Sequence, residues 1–465
     1  MGGLFGVFSN SDCLEDLYYG TDYHSHLGTR RGGLAVKNAG GFQRFIKDIT
    51  TTQFRSKFEK DIKKMHGNKG IGVISDYDDQ PLIINSRLGV FAITTVGKIN
   101  NLEQLAIEAL KNGSHFSEMH GGETNPTEMV ATIITQGATF EEGIQKVQDM
   151  IEGSCTMLIL TSEGIYAVRD KLGRTPLIIG KKAGAYAITM ETCAFPNLGY
   201  KIIKYLGSGE AIFISKNGLE QKIAPGNRTQ ICGFLWVYYG YPASNYEGIN
   251  VEVVRYKCGS YLAKSDDVDI DLVAGIPDSG TGHGLGYASE SKIPFSRPFI
   301  KYTPTWPRSF MPQVQSIRDL VAKMKLIPIK ELINNKRLLF CEDSIVRGTQ
   351  LRKTIQRLYE YGAKEVHMRP ACPPLVYGCK FLNFSRSRSE LDLAGRWAIK
   401  ELIGRDIGDP ADYTDPDSDN YKAMVDVIRK RLGLTTLRYQ RLEDLVSAIG
   451  LPKEKICTYC WDGVE

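Results

Sequence analysis

The chain has 465 residues, 42% of them hydrophobic and 24% charged, with a formal charge of +5. It is too long for one ordinary core, so two domains are expected, and so mild a charge calls for no nucleic-acid partner. No apolar run approaches the roughly 18 residues of a membrane span, and ten scattered cysteines do not form a disulfide framework.

The opening MGGLFGVFSNSD lacks the basic region and cleavage site of a secretory signal, so a cytoplasmic, reducing location is expected. The first unit is expected over residues 1–228. Short alternating or β-rich runs recur at Gly3–Val7, Gly70–Ile74, Gly89–Thr94, Thr156–Leu160, Gly164–Val168, Ala185–Met190 and Glu210–Ile214. Amphipathic stretches such as Asn101–Leu110 and Phe140–Ile151 lie between them, which predicts sheets packed with helices. The second unit is expected over residues 229–465. It opens on GFLWVYYGYPAS (Gly233–Ser244), whose F-L-W-V-Y-Y run reads as a strand, and continues with a helix over Asn250–Lys264. DVDIDLVAGIPDSGTGHGLGYASESKIPF follows as strand, loop and helix. Gly280, Gly282, Gly284 and Gly286 do not satisfy G-x-G-x-x-G, so a dinucleotide reading is weak, and tight helix packing is the plainer use of these glycines.

The second unit is organised around Arg337–Val366. Arg337–Phe340 reads as a buried parallel strand ending in the carboxylates Glu342 and Asp343. Ser344–Thr349 turns into a helix with Leu351, Ile355 and Leu358 on one face and Gly362 as its stop. Backbone N–H groups in such a turn, together with the helix dipole, hold a phosphate, and the acids beside them take sugar hydroxyls or a metal. No Gly-Lys-Ser/Thr follows, so this is not a Walker A loop. The plainer alternative is an ordinary turn with solvent-facing acids.

CEDSIVRGT resembles the V-D-D-S-I-V-R-G-T signature of glutamine phosphoribosylpyrophosphate (PRPP) amidotransferases, with Glu342 for the first Asp. Pro277-Asp278-Ser279-Gly280-Thr281 resembles that family's pyrophosphate loop, P-D-S-G, and RSFMP (Arg308–Pro312) its mobile flap, R-T-F-I-x-P. In the first unit MGGLFGV sits where the family carries M-C-G-I-x-G, RDKLGRTPL resembles R-D-x-x-G-x-R-P-L, and METCAF resembles S-E-T-C-A-F. The resemblance implies an N-terminal nucleophile hydrolase-like αββα sandwich, followed by a type I phosphoribosyltransferase α/β fold with a parallel sheet. It implies PRPP contacts at Asp278, Ser279, Gly280 and Thr281, and at Glu342, Asp343, Ser344, Ile345, Val346, Arg347, Gly348 and Thr349. Mg2+ is expected at Ser279, Glu342 and Asp343, with Lys301 and Arg308 of the flap neutralising pyrophosphate or standing as solvated charges. The flap's K-N-R-Y-x-G has become Lys301-Tyr302-Thr303-Pro304-Thr305-Trp306-Pro307, and proline restricts the hinge.

The family splits glutamine with a cysteine thiolate and its own α-amine. Here Gly2 stands at that position, so no nucleophile is expected. The oxyanion Asn of H-N-G-x-L-x-N aligns with Val96, which donates no hydrogen bond, and one such donor is worth on the order of 10²–10³ in rate. The Arg that grips the glutamine carboxylate aligns with Ser75, and the Asp that holds its amino group with Pro126. H-R-G-Q has become His26-Leu27-Gly28-Thr29. Five independent departures imply a glutaminase lost naturally.

Cys457-Thr458-Tyr459-Cys460 alone is ambiguous between redox, metal and no role. The resemblance adds Cys232 and Cys379 at the positions of the first two ligands in iron–sulfur amidotransferases, giving four thiolates for a structural 4Fe-4S cluster. Cys372 is the fallback for Cys379, and structural zinc the alternative metal. The expected activity is phosphoribosyl transfer from PRPP to ammonia, free or from a separate glutaminase. Transfer to another nucleophile and a non-catalytic nucleotide-binding role are the alternatives, and a homo-oligomer is expected.

Overall fold

A computed structural model of the chain describes residues 2–117, 119–120, 123–302, 326–383 and 390–465. Two antiparallel sheets are stacked in the first half. One runs in the order 201–205, 178–182, 185–189, 3–9, 69–75, 31–38, 41–48, the other in the order 218–223, 211–215, 164–168, 153–160, 89–99, 82–86.

Alternation along the strands builds the layers. Leu4 and Phe8, with Ile71 and Val73, face Leu158, Leu160, Ile165 and Ala167 of the other sheet. Phe5 and Val7 point the opposite way, onto helices Leu14–Asp22 and Phe54–Ile62. Phe91, Ile93, Met157 and Ile159 do the same for the second sheet, packing on helices Leu102–Lys111, Pro126–Ile134 and Phe140–Met150. The outcome is the αββα sandwich of the N-terminal nucleophile hydrolases.

The second half holds a parallel sheet in the order 272–275, 337–342, 365–370, 436–437. Strands 272–275 and 337–342 are mainly apolar because helices cover both faces, while strand 365–370 also buries His367 and Arg369. Ile355 and Leu358 of helix Thr349–Glu360 pack with Met424, Ile428 and Leu432 of helix Asp419–Leu432 against Leu338 and Phe340. Helices Val251–Lys264 and Gly280–Ser291 lie so close that a β-carbon on Gly286 would meet the Tyr256 carbonyl oxygen at 1.8 Å, so tight packing is the role of that glycine. Strands 299–301 and 326–328 form an antiparallel pair flanking residues 303–325, which lie outside the described residues. This is the type I phosphoribosyltransferase arrangement. Among the described residues no helix is long and apolar enough to cross a membrane.

One expected element differs. Leu235–Tyr239 is a π-helical turn and not a strand. Its carbonyls have another acceptor role than a sheet would offer: the buried Arg255 guanidinium donates to the carbonyls of Trp236, Tyr238 and Gly240 at 2.9–3.0 Å. Leu235, Trp236 and Val237 are buried in succession, which a helical turn inside the core permits and a one-sided strand does not.

Candidate functional site

Strands 272–275 and 337–342 are neighbours in the parallel sheet, so the loops at their C-terminal ends, 276–281 and 343–348, open side by side. This is the edge where open α/β sheets bind ligands. The Ile276 N–H donates to the Cys341 carbonyl at 3.0 Å. A β-carbon on Gly280 would stand 2.4 Å from that same carbonyl oxygen, so only glycine lets the first loop press against the second strand. Helix Gly280–Ser291 starts from Ser279, and helix Thr349–Glu360 from Gly348, so two helix N-termini face this edge.

The expected contacts are gathered there with different exposures. Asp278 is exposed, Ser279, Thr281 and Ser344 are half-buried, and Ile345 is buried beneath its loop. Val346 is half-buried and its carbonyl accepts from the Ala394 N–H at 2.7 Å, while Arg347 is exposed and pairs with Asp392 at 3.3 Å. Thr349 is exposed on the first turn of its helix. Glu342 and Asp343 are both buried, contrary to the solvent-facing alternative. Burial and the neighbouring Asp343 charge push the Glu342 carboxyl well above its ordinary range. Ser344 Oγ donates to Asp343 at 2.5 Å, and the Asp343 N–H to Glu342 at 3.1 Å. Two carboxyls crowded in this way are the arrangement a divalent cation relieves. Lys301 closes an ion pair with Asp278 across the mouth. Arg308 lies outside the described residues.

The positions expected to have lost glutamine chemistry also converge. A β-carbon on Gly2 would lie 2.6 Å from the Ile74 carbonyl oxygen and 3.2 Å from Val96 Cγ2. Ser75 Oγ and Thr127 Oγ1 donate to the two oxygens of Asp78 at 3.3 and 2.6 Å, and Thr95 Oγ1 lies 2.6 Å from Thr127 Oγ1. Gln80 exchanges bonds with the Thr95 backbone at 2.7 and 3.0 Å. Burial raises the Asp78 carboxyl above its ordinary value. Pro126 opens a helix that Asn125 caps. His26 reaches Glu191 at 3.1 Å, and Glu191 also accepts from Tyr246 at 2.8 Å and from Ser244, joining the two halves. Sequence reading did not find the Asp78 network; the acids of SDYDDQ were its only signal.

The cysteines meet where the halves join. Ile231–Cys232 and Ile456–Cys457 form a short parallel pair with Cys232 opposite Cys457. The Cys460 carbonyl accepts from the N–H groups of Val376 and Tyr377, which draws in the stretch leading to Cys379. Burial raises all four thiols, and the Cys460 thiol is further raised by Cys232, Cys379 and Cys457. Cys372, the alternative to Cys379, is fully buried, and burial and the Asp343 charge raise its thiol. All ten cysteines are free. Among the described residues no three His, Cys, Asp or Glu side chains close on a single metal ion. The Cys379 segment is clamped by the first half: Lys98 donates to the Cys379 carbonyl at 2.9 Å, Asn100 to Lys380 at 2.7 Å and Ser154 to Phe381 at 2.6 Å.

A nucleophile-hydrolase sandwich joined to a phosphoribosyltransferase sheet defines the class of two-domain PRPP amidotransferases. A family profile described as "Glutamine amidotransferase domain" matches residues 68–196. The amidophosphoribosyltransferase of Archaeoglobus fulgidus is 31% identical over 424 residues, covering 88% of this chain and 90% of that one. That of Bacillus subtilis is 28% identical over 460 residues, covering 96% and 89%. The solved structure of the B. subtilis glutamine PRPP amidotransferase complexed with ADP and GMP superimposes with a TM-score of 0.85 at 27% identity, covering 99% of this chain and 96% of that one. The chain belongs to the amidophosphoribosyltransferase family.

Proposed function

We propose that the protein transfers the phosphoribosyl group of PRPP to ammonia, giving 5-phosphoribosylamine and pyrophosphate, and does not split glutamine itself. The observation that carries this reading is the pairing of loops 276–281 and 343–348 over two buried carboxylates. The nitrogen lone pair forms the C1–N bond as the C1–O bond to pyrophosphate breaks. The bonding pair leaves with pyrophosphate, and the new amine releases a proton. Backbone N–H groups at Asp278–Thr281 would hold the departing pyrophosphate, and those at Ser344–Thr349 the ribose phosphate. Glu342 and Asp343 orient the ribose hydroxyls and, with Ser279, would hold Mg2+. Mg2+, when bound, neutralises charge building on the leaving group. Lys301 and Arg308 would add positive charge over the same group.

The contact of Gly2 with the Ile74 carbonyl supports loss of the glutaminase, since a cysteine side chain has no room there. The Asp78 network supports it further, because polar groups near the former clamp are already bonded to one another. Ammonia would then come from solution or from a separate glutaminase. Cys232, Cys379, Cys457 and Cys460 would supply the four thiolates of a structural 4Fe-4S cluster, with structural zinc as the alternative. A cytoplasmic homo-oligomer, with a division near residues 228–229, completes the reading.

A second acceptor is favoured by one specific feature. Pro304, Trp306 and Pro307 stand in the sequence where the family carries a glycine-containing hinge, and prolines there would change how that cover admits the nucleophile. Pyrophosphate release from PRPP with Mg2+, measured with and without ammonium, tests the proposal. Release only with ammonium supports it. Release with another amine alone points to the second acceptor, and PRPP binding with no release under any amine leaves a regulatory protein.

A further inference from the structure

Arg174 belongs to the first half but ends in the second. It follows Gly173 in the turn between strands 164–168 and 178–182, and its side chain is buried. One guanidinium nitrogen donates to the Cys457 sulfur at 2.7 Å and the other terminal nitrogen to Gln230 at 3.1 Å. Its plane lies over the Phe381 ring, 3.2 Å from the centre. The Arg174 carbonyl accepts from the Cys232 N–H at 3.0 Å, so backbone and side chain of one residue touch two of the four cysteines. Nε is buried and has no hydrogen-bond partner among the described residues.

The sequence context departs from the family pattern one residue further on. R-D-x-x-G-x-R-P-L would put arginine at position 175, yet Thr175 stands there and the arginine comes one residue earlier. Thr175 joins a buried polar set, bonding Asp170 at 3.2 Å and Thr156 at 2.6 Å, which leaves position 174 to project toward the cysteines. The same region of the first half grips the Cys379 segment through Lys98, Asn100 and Ser154.

We propose that Arg174 is a positioning residue for the cluster held by Cys232, Cys379, Cys457 and Cys460: its charged hydrogen bond to the Cys457 sulfur retains the cluster and raises its reduction potential. The inference rests on the reading of those four cysteines as cluster ligands. A cation bonded to a ligand sulfur draws electron density from the thiolate and stabilises the reduced, more negative cluster. A domain that no longer splits amides thereby keeps a use, as one wall of the metal cage.

The test is made on the full chain, purified without oxygen. Wild type is expected to carry iron and sulfide with the visible absorption of an iron–sulfur cluster, and R174Q to hold its cluster at a lower potential in dye-equilibrated titration and to bleach in air about 10-fold faster. R174K, which keeps the charge, is expected to lie between them. F381L, which removes the stacking partner and not the sulfur bond, is expected to keep the wild-type potential. Wild type without iron would end the cluster reading itself. Iron-loaded wild type with an unshifted potential and bleaching rate in R174Q would end the role of Arg174 alone, and should R174Q not fold, the same measurement on R174M, which also removes the charge, decides in its place.

Discussion

Gly2 and Ile74 are packed so that the α-carbon of one faces the carbonyl oxygen of the other, with space for hydrogen and none for a side chain. The β-carbon of any residue at position 2 would lie 2.6 Å from that oxygen, and strand 69–75 is fixed by neighbours on both sides. Restoring the family's nucleophile is therefore expected not to restore its chemistry. Gly2→Cys is expected to release no glutamate from glutamine above background, and to melt below the parent because the strand must yield. Glutamate counted by a coupled dehydrogenase assay, turning over steadily on this variant, would show that the old site is intact.

Glu342 and Asp343 repel one another in the absence of a cation. Glu342→Gln is expected to lower ammonium-dependent pyrophosphate release by about 10²–10³. The same change is expected to leave the Mg2+-free protein as stable as the parent or more so, since the fold no longer has to hold a buried carboxyl protonated above its ordinary range. Opposite movement of activity and melting temperature separates this from simple unfolding. Full activity in the variant would remove Glu342 from the site.

His24 gives the fold a pH dependence of known sign. Its ring is fully buried, with Nδ1 on the Gly20 carbonyl at 2.8 Å, and burial pulls its pKa down to about 4. The unfolded chain takes up that proton near the ordinary value of about 6.5, so it binds more protons than the folded chain between those limits. Stability contributed by His24 is present above pH 6.5 and falls as pH drops toward 4, by roughly 3 kcal/mol. Urea midpoints across this range should show the loss in wild type and a flatter profile in His24→Gln.

Glu191 ties the halves together from a fully buried position. Tyr246→Phe removes one of its donors while keeping the ring against Trp236. A loss of about 1–3 kcal/mol is expected from the carboxylate left short of a partner, read from denaturant unfolding. An unchanged midpoint would mean that His26 and Ser244 satisfy Glu191 by themselves.

What could be read from the sequence depended on where the determining contacts lie. Gly3–Val7, Gly70–Ile74 and Gly164–Val168 were legible as strands because their alternation is local, and the structure extends or reproduces each of them. Strand Gly41–Asp48 was not, since it lies at a sheet edge with no fully buried residue to mark a face. Phe234–Tyr239 has the composition of a strand, and only Arg255, arriving from a later helix, explains why it coils. The carboxylate pair and the loop glycine were visible as a motif, whereas their burial was not. The Asp78 network and the reach of Arg174 join residues far apart in the chain, and no spacing rule announces them.

The short parallel pairing of residues 231–232 with 456–457 bears on how the molecule is made. About 225 residues are synthesised between the two partners, which at ribosomal rates takes on the order of ten to fifty seconds. Throughout that interval Cys232 waits on the nascent chain without its cross-strand neighbour. A cluster shared by these thiols, as proposed above, would therefore be completed only after residue 457 has been made.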